Sequence, residues 1–118
     1  MKPKTNDTVD FSVIIPAYNE QNYIGTVLDR LFNAIAEIEN LTGEVIVVDN
    51  NCSDQTAILA KEKGARVVFE PINQISRARN AGACVARGKY LFFVDADTQI
   101  SNELLLLSLQ RLEGGECG

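Results

Sequence analysis

The residues best equipped for chemistry in this chain stand where apolar runs stop. The stretch "YLFFVDADTQI" (90–100) passes from strand-like apolar residues straight into Asp95, Ala96 and Asp97. Side chains at i and i+2 of an extended segment point the same way, so both carboxylates address one site. Left unneutralised, they repel each other and one pKa rises. A divalent cation removes that conflict, and Mg2+ takes one or two carboxylates and fills its shell with water and phosphate oxygens. The competing reading is a simple Asp turn that closes a strand.

A second apolar run, "VIVVD", ends in Asp49. Its carboxylate either caps the "NNCSD" turn or accepts hydrogen bonds from a base or ribose, as strand-end acids do in dinucleotide folds. Arg79 lies within the inner arc of a helix whose face is Ile75, Ala78, Gly82, Val85 and Ala86, whereas Arg77 and Arg87 project away. A cation near an inner face must be paired or must snorkel. It meets either a phosphate or one of the strand-end acids.

Composition narrows the chemistry. The 118 residues contain no histidine, which removes the commonest transition-metal ligand and the commonest general base. A metal would be a hard cation on oxygen ligands. The net charge is −5 and the Lys and Arg residues form no runs, so no nucleic-acid partner is expected. Three scattered cysteines, Cys52, Cys84 and Cys117, make neither a disulfide framework nor a zinc site and fit a reducing compartment. "MKPKTNDTVDF" lacks the apolar core of a signal peptide, and the longest apolar run is far short of the roughly 18 residues of a membrane span. The expectation is a soluble chain. No G-x-G-x-x-G, G-x-S-x-G or C-x-x-C occurs, and "GACVARGKY" departs from a P-loop in spacing, in its Tyr90 and in its place at a helix end.

The elements that must carry these residues follow from periodicity. Residues 1–10 are polar and expected to be flexible; one domain is expected over 11–118. "FSVIIP" (11–16) reads as a buried strand. From Glu20, Tyr23, Ile24, Val27, Leu28, Leu31, Phe32, Ile35 and Ile38 recur at helical spacing, with Asn19 as the expected N-cap. A strand follows Gly43 and runs to Asp49. A helix over 54–63 is capped by Ser53 or Asp54 and ended by Gly64. "ARVVFEP" is a third strand, a helix from Ile75 ends at Gly88, and "KYLFFVD" is a fourth strand. A last helix, 102–112, is capped by Ser101. Alternating β and α elements with apolar strands imply a parallel sheet covered on both faces, a three-layer α/β/α fold. Ligands of such sheets bind outside the carboxyl ends of the strands. Those ends are "PAYNE", "DNNCSD", "EPINQ" and "DADTQ".

Taken in order, "FSVIIPAYNE", "VIVVDNNCSDQT", "GARVVFEPINQISRARNAG" and "ARGKYLFFVDADTQI" resemble the nucleotide-sugar-binding N-terminal half of family 2 glycosyltransferases, which have the GT-A, Rossmann-like fold. The resemblance covers about residues 11–112. It implies that Pro16, Ala17 and Tyr18 line the base and ribose and that Glu20 closes that loop. It implies that Asp49 hydrogen-bonds the base and that Arg79 and Asn80 lie beside the nucleotide. Asp95 and Asp97 match the DxD motif, with the first Asp on the ribose side and the second on Mn2+ or Mg2+ bridging the diphosphate.

The implied partners are a UDP- or GDP-linked sugar and a saccharide or lipid acceptor. The implied setting is cell-envelope polysaccharide synthesis, cytoplasmic or peripheral at the inner membrane face. The implied reaction is one inverting displacement. Its general base comes from the second half of the family's domain, and Glu103, Glu113 and Glu116 match no such position. The GT-A domain is therefore expected to be incomplete here, and a non-catalytic nucleotide-binding module is the alternative reading. Leucines at 104, 105, 106, 107, 109 and 112 point nearly all round the last helix, an arrangement normally buried. Either a larger protein or a homo-oligomer is expected to cover it.

Overall fold

The computed structural model describes residues 9–39 and 41–96. Among these, strands and helices alternate: β1 (Phe11–Ala17), α1 (Ile24–Ala36), β2 (Gly43–Asp49), α2 (Thr56–Glu62), β3 (Arg66–Phe69), α3 (Ile75–Val85) and β4 (Tyr90–Phe93). The strands form one sheet in the order β3-β2-β1-β4, and each pairing is parallel. The expected last helix, 102–112, lies outside the described residues.

Parallel neighbours need long crossovers, and helices supply them. β1 is buried along its whole length because both of its faces are covered. Phe11, Val13, Ile15 and Ala17 meet Ile24, Val27, Leu28, Leu31 and Ala34 of α1 and Ala60 of α2 in one cluster. Each fully buried Leu or Ile there contributes about 1.5–3 kcal/mol. Ile14 and Val48 on the opposite face meet Ala78 of α3. The small residues of α3 let it approach closely: a Cβ on Gly82 would lie 2.4 Å from Ile14 Cγ2.

Several boundaries differ from expectation. α1 starts at Ile24, not Glu20, and Asn19 is not its N-cap. Asn19 takes a left-handed φ of 53°, which Asn tolerates, and its side-chain oxygen is occupied by the Ser53 N–H at 2.8 Å. The Glu20 carbonyl accepts from Tyr23 and Ile24 instead. α2 starts at Thr56 because Asp54 closes an Asx turn onto the Thr56 N–H at 3.0 Å. Its end is as expected: Gly64 has φ 98°, Gly64 N–H donates to Lys61 and Ala65 N–H to Ala60, a Schellman motif. α3 stops at Val85, three residues before Gly88, because Ala86 is extended. Gly88 then passes under β1 and donates to Ser12 Oγ at 2.9 Å. In the polar stretch 1–10, residues 1–8 lie outside the description, and Asp10 N–H donates to the Thr42 carbonyl at 2.8 Å.

Candidate functional site

The chain winds from β1 outward through β2 to β3, then returns to place β4 on the other side of β1. The helices change face at the same point: α1 and α2 lie on one side of the sheet, α3 on the other. This is a topological switch point, where strand ends diverge and leave a crevice. A cleft of about 400 Å³ opens there. Pro16, Ala17, Tyr18 and Glu20 form its wall from the end of β1, and Asp95 and Ala96 form the wall that follows β4. Asn50, Asn73 and Ile75 complete the lining.

The sequence-expected residues thus divide. Pro16, Ala17, Tyr18, Glu20 and Asp95 are brought together. Asp49, Arg79 and Asn80 are not among the lining residues, and Asp97 lies outside the described residues. Asp49 is level with Ala17 in the parallel register. Its Oδ1 accepts the Cys52 N–H at 2.8 Å, so it caps the turn as one of its two readings expects. Arg79 is exposed, and its guanidinium carbon is 5.7 Å from the centre of the Phe93 ring. Among the described residues it forms no ion pair. Asn80 is exposed on the same helix.

Asn50, Asn73 and Ile75 were not anticipated. Asn50 is 6% exposed, and its amide donates to the carbonyls of Glu70 at 3.0 Å and Ile72 at 2.6 Å. Asn73 returns a bond to the Asn50 carbonyl. This pair ties the β3–α3 loop to the end of β2. The only sequence signal was the doubled amide in "DNN", which reads equally well as turn polarity.

The β1–α1 loop is tied to the β2–α2 turn by a further set of bonds. Cys52 Sγ accepts from Asn19 N–H at 3.3 Å and donates to the Ala17 carbonyl at 3.2 Å. Burial raises the Cys52 thiol above its usual range; the Asn19 N–H opposes this and the nearby Asp49 carboxylate adds to it. Burial acts to raise the Asp54 carboxyl, but bonds from the Thr56 hydroxyl, Thr56 N–H and Gln21 N–H together hold it below the usual range.

The donor chemistry of the cleft suits a hard cation, since its acids Glu20 and Asp95 offer oxygen ligands. Among the described residues no group of three or more acidic, Cys or His side chains is close enough to form a complete metal cage. No helix of the described residues is long and apolar enough to cross a membrane.

Residues 12–117 match the family described as Glycosyl transferase family 2. A curated relative, the minor teichoic acid biosynthesis protein GgaB of Bacillus subtilis (strain 168), is 32% identical over 98 residues, 78% of this chain and 11% of that protein. The structure of S. aureus TarS 1-349 in complex with UDP-GlcNAc is similar with a TM-score of 0.74 and 30% identity, covering 90% of this chain and 32% of that one. Glucosyl-3-phosphoglycerate synthase from Mycobacterium tuberculosis, in complex with Mn2+, UDP and glucosyl-3-phosphoglycerate, gives a TM-score of 0.71 at 25% identity, covering 95% of this chain and 45% of that one. The chain spans less than half the length of each of these three proteins.

Proposed function

The chain belongs to glycosyl transferase family 2, and from that premise we propose that its cleft binds a nucleoside diphosphate sugar as the donor side of an inverting glycosyltransferase. The observation that carries the reading is the cleft at the β1/β4 switch point, walled by Pro16–Glu20 on one side and Asp95 on the other. Similar structures holding UDP and UDP-GlcNAc favour a UDP-linked donor over a GDP-linked one.

In this reading Pro16, Ala17 and Tyr18 pack on the base and ribose, and Glu20 bounds that wall. Tyr18 is 54% exposed, leaving a ring face for a planar group. Asp49 addresses the base from the end of β2, with Arg79 and Asn80 flanking from α3. Asp95 and Asp97 hold Mn2+ or Mg2+. When bound, the metal neutralises the charge that the departing nucleoside diphosphate develops. Mn2+ in one similar structure supports that choice. The acceptor is a saccharide or lipid hydroxyl, and the similarity to a teichoic acid biosynthesis protein favours a cell-envelope polymer made at the inner membrane face. The acceptor must also lose a proton to a base, a role assigned to no residue of this chain.

Titration calorimetry with UDP and GDP, each with and without Mn2+, tests the proposal. The expected result is metal-dependent UDP binding that Asp97→Ala abolishes. Binding of neither nucleotide, with or without metal, overturns it. A transfer assay with UDP-linked sugars then separates an active transferase from a binding module.

A further inference from the structure

Three consecutive backbone N–H groups of the β1–α1 loop are satisfied by side chains of the β2–α2 turn and of Thr56, the first residue of α2. Asn19 N–H donates to Cys52 Sγ at 3.3 Å, Glu20 N–H to Thr56 Oγ1 at 2.9 Å, and Gln21 N–H to Asp54 Oδ2 at 3.3 Å. Bonds in the other direction close the set: Ser53 N–H donates to Asn19 Oδ1 at 2.8 Å and Gln55 N–H to Gln21 Oε1 at 3.2 Å. Thr56 is fully buried, and its hydroxyl also donates to Asp54 Oδ1. One buried hydroxyl therefore joins a carboxylate to the peptide of a cleft residue.

A loop of this kind ordinarily leaves its N–H groups to water and samples several conformations. Here the loop that carries Tyr18 and Glu20 has its peptides anchored before any ligand arrives. We infer that Asp54 and Thr56 are positioning residues for the cleft, presetting the wall formed by Tyr18 and Glu20 without touching the ligand. The inference rests on the reading of the cleft as the nucleotide site. A preorganised wall spares the ligand the entropic cost of ordering it, so loosening the wall weakens binding even though no contact with ligand is removed. Val in place of Thr56 keeps the volume but leaves the Glu20 N–H and the Asp54 oxygen without their shared partner. Ser restores the hydroxyl.

The experiment pairs amide hydrogen exchange of the ligand-free chain with UDP titration in Mn2+, for wild type, Thr56→Val, Thr56→Ser and Asp54→Ala. Thr56→Val is expected to speed exchange at Glu20 and Gln21, to leave the Ile14 and Ile46 amides unchanged, and to weaken UDP by roughly tenfold. Thr56→Ser restores both, and Asp54→Ala, which removes the acceptor of the Gln21 N–H, gives a loss of the same kind. Unchanged exchange at Glu20 and Gln21 in Thr56→Val overturns the inference whatever UDP does. Faster exchange with unchanged UDP affinity overturns it too. If Thr56→Val fails to fold, Asp54→Ala decides by the same two readouts. Wild type that binds no nucleotide overturns the reading of the cleft, while the exchange data still report whether the anchor exists.

Discussion

Arg79 stands over the ring of Phe93, two residues before Asp95, and this contact joins α3 to the strand that leads into the cleft. Cation–π pairs at exposed sites are worth about 0.5–1 kcal/mol. A double-mutant cycle of Arg79→Ala and Phe93→Leu, followed by urea unfolding, is expected to give a coupling of about that size. Arg79→Lys keeps part of it. Additive losses would show that the two side chains do not interact in solution.

Asp49 has a structural duty that is separable from its proposed one. Its Oδ1 caps the turn at Cys52, a duty that Asn performs as well as Asp. Asp49→Asn is expected to change stability by under about 0.5 kcal/mol, and Asp49→Ala to cost about 1 kcal/mol. UDP affinity is expected to fall in both. Unfolding curves and calorimetry on the same preparations check the split.

Gly82 sets the distance between α3 and the sheet. Alanine gains up to about 1 kcal/mol of helix propensity. Its Cβ would lie 2.4 Å from Ile14 Cγ2 and 3.1 Å from Val48 Cγ2, and overpacking costs about 1–3 kcal/mol. The net expectation for Gly82→Ala is a loss, seen as a lower urea midpoint at unchanged m-value. A midpoint at or above wild type would show that α3 moves outward at no cost.

Asp54 makes stability depend on acid pH. Its folded pKa lies below the ordinary 3.8, so the folded chain binds the proton less readily than the unfolded one. The stabilisation is present above 3.8 and is lost as pH falls through the folded value. Asp54→Asn is expected to flatten that part of the profile. Urea midpoints between about pH 2 and 5 measure it, and a slope equal to wild type would remove Asp54 from the account.

Cys52 shifts in the opposite sense. Burial raises its thiol above the ordinary 9.0, so the folded chain holds that proton more tightly. Its contribution is full below 9.0 and falls as pH rises through the folded value. The thiolate is the reactive form. In a Cys117→Ser background, iodoacetamide at pH about 8 is expected to modify exposed Cys84 well before Cys52. Equal rates would mean that the turn opens freely.

The order of elements was legible because each apolar run is short and stops at a polar end, and because α1 repeats Ile24, Val27, Leu28 and Leu31 on one stripe. That the ends of β1 and β4 lie on one edge of the sheet was legible from the strand-end rule, which placed all four strand ends there; that Pro16–Glu20 and Asp95, and not Asp49, wall the cleft was not. The roles of Asn19 and Asn50 were not. Both are amides beside a strand end, where capping, turn formation and long-range bonding share the same composition. Asn19 bonds to Ser53, 34 positions away, and Asn50 to Ile72, 22 positions away. Only the fold brings those partners within reach. Arg79 was expected on the inner arc of its helix; it is exposed instead, with its guanidinium over the Phe93 ring, because the helical spacing alone does not show which neighbouring strand the side chain meets.

The two walls of the cleft are unequally rooted. One grows from β1, buried on every residue; the other hangs from β4, four residues long, with Leu91 and Phe93 more than 40% exposed. Among the described residues β4 pairs with β1 alone. A molecule that grips both walls therefore works as a rivet through a seam. Its capture adds to the pairing of β1 with β4 that already holds the seam, so binding stabilises β4 along with the cleft.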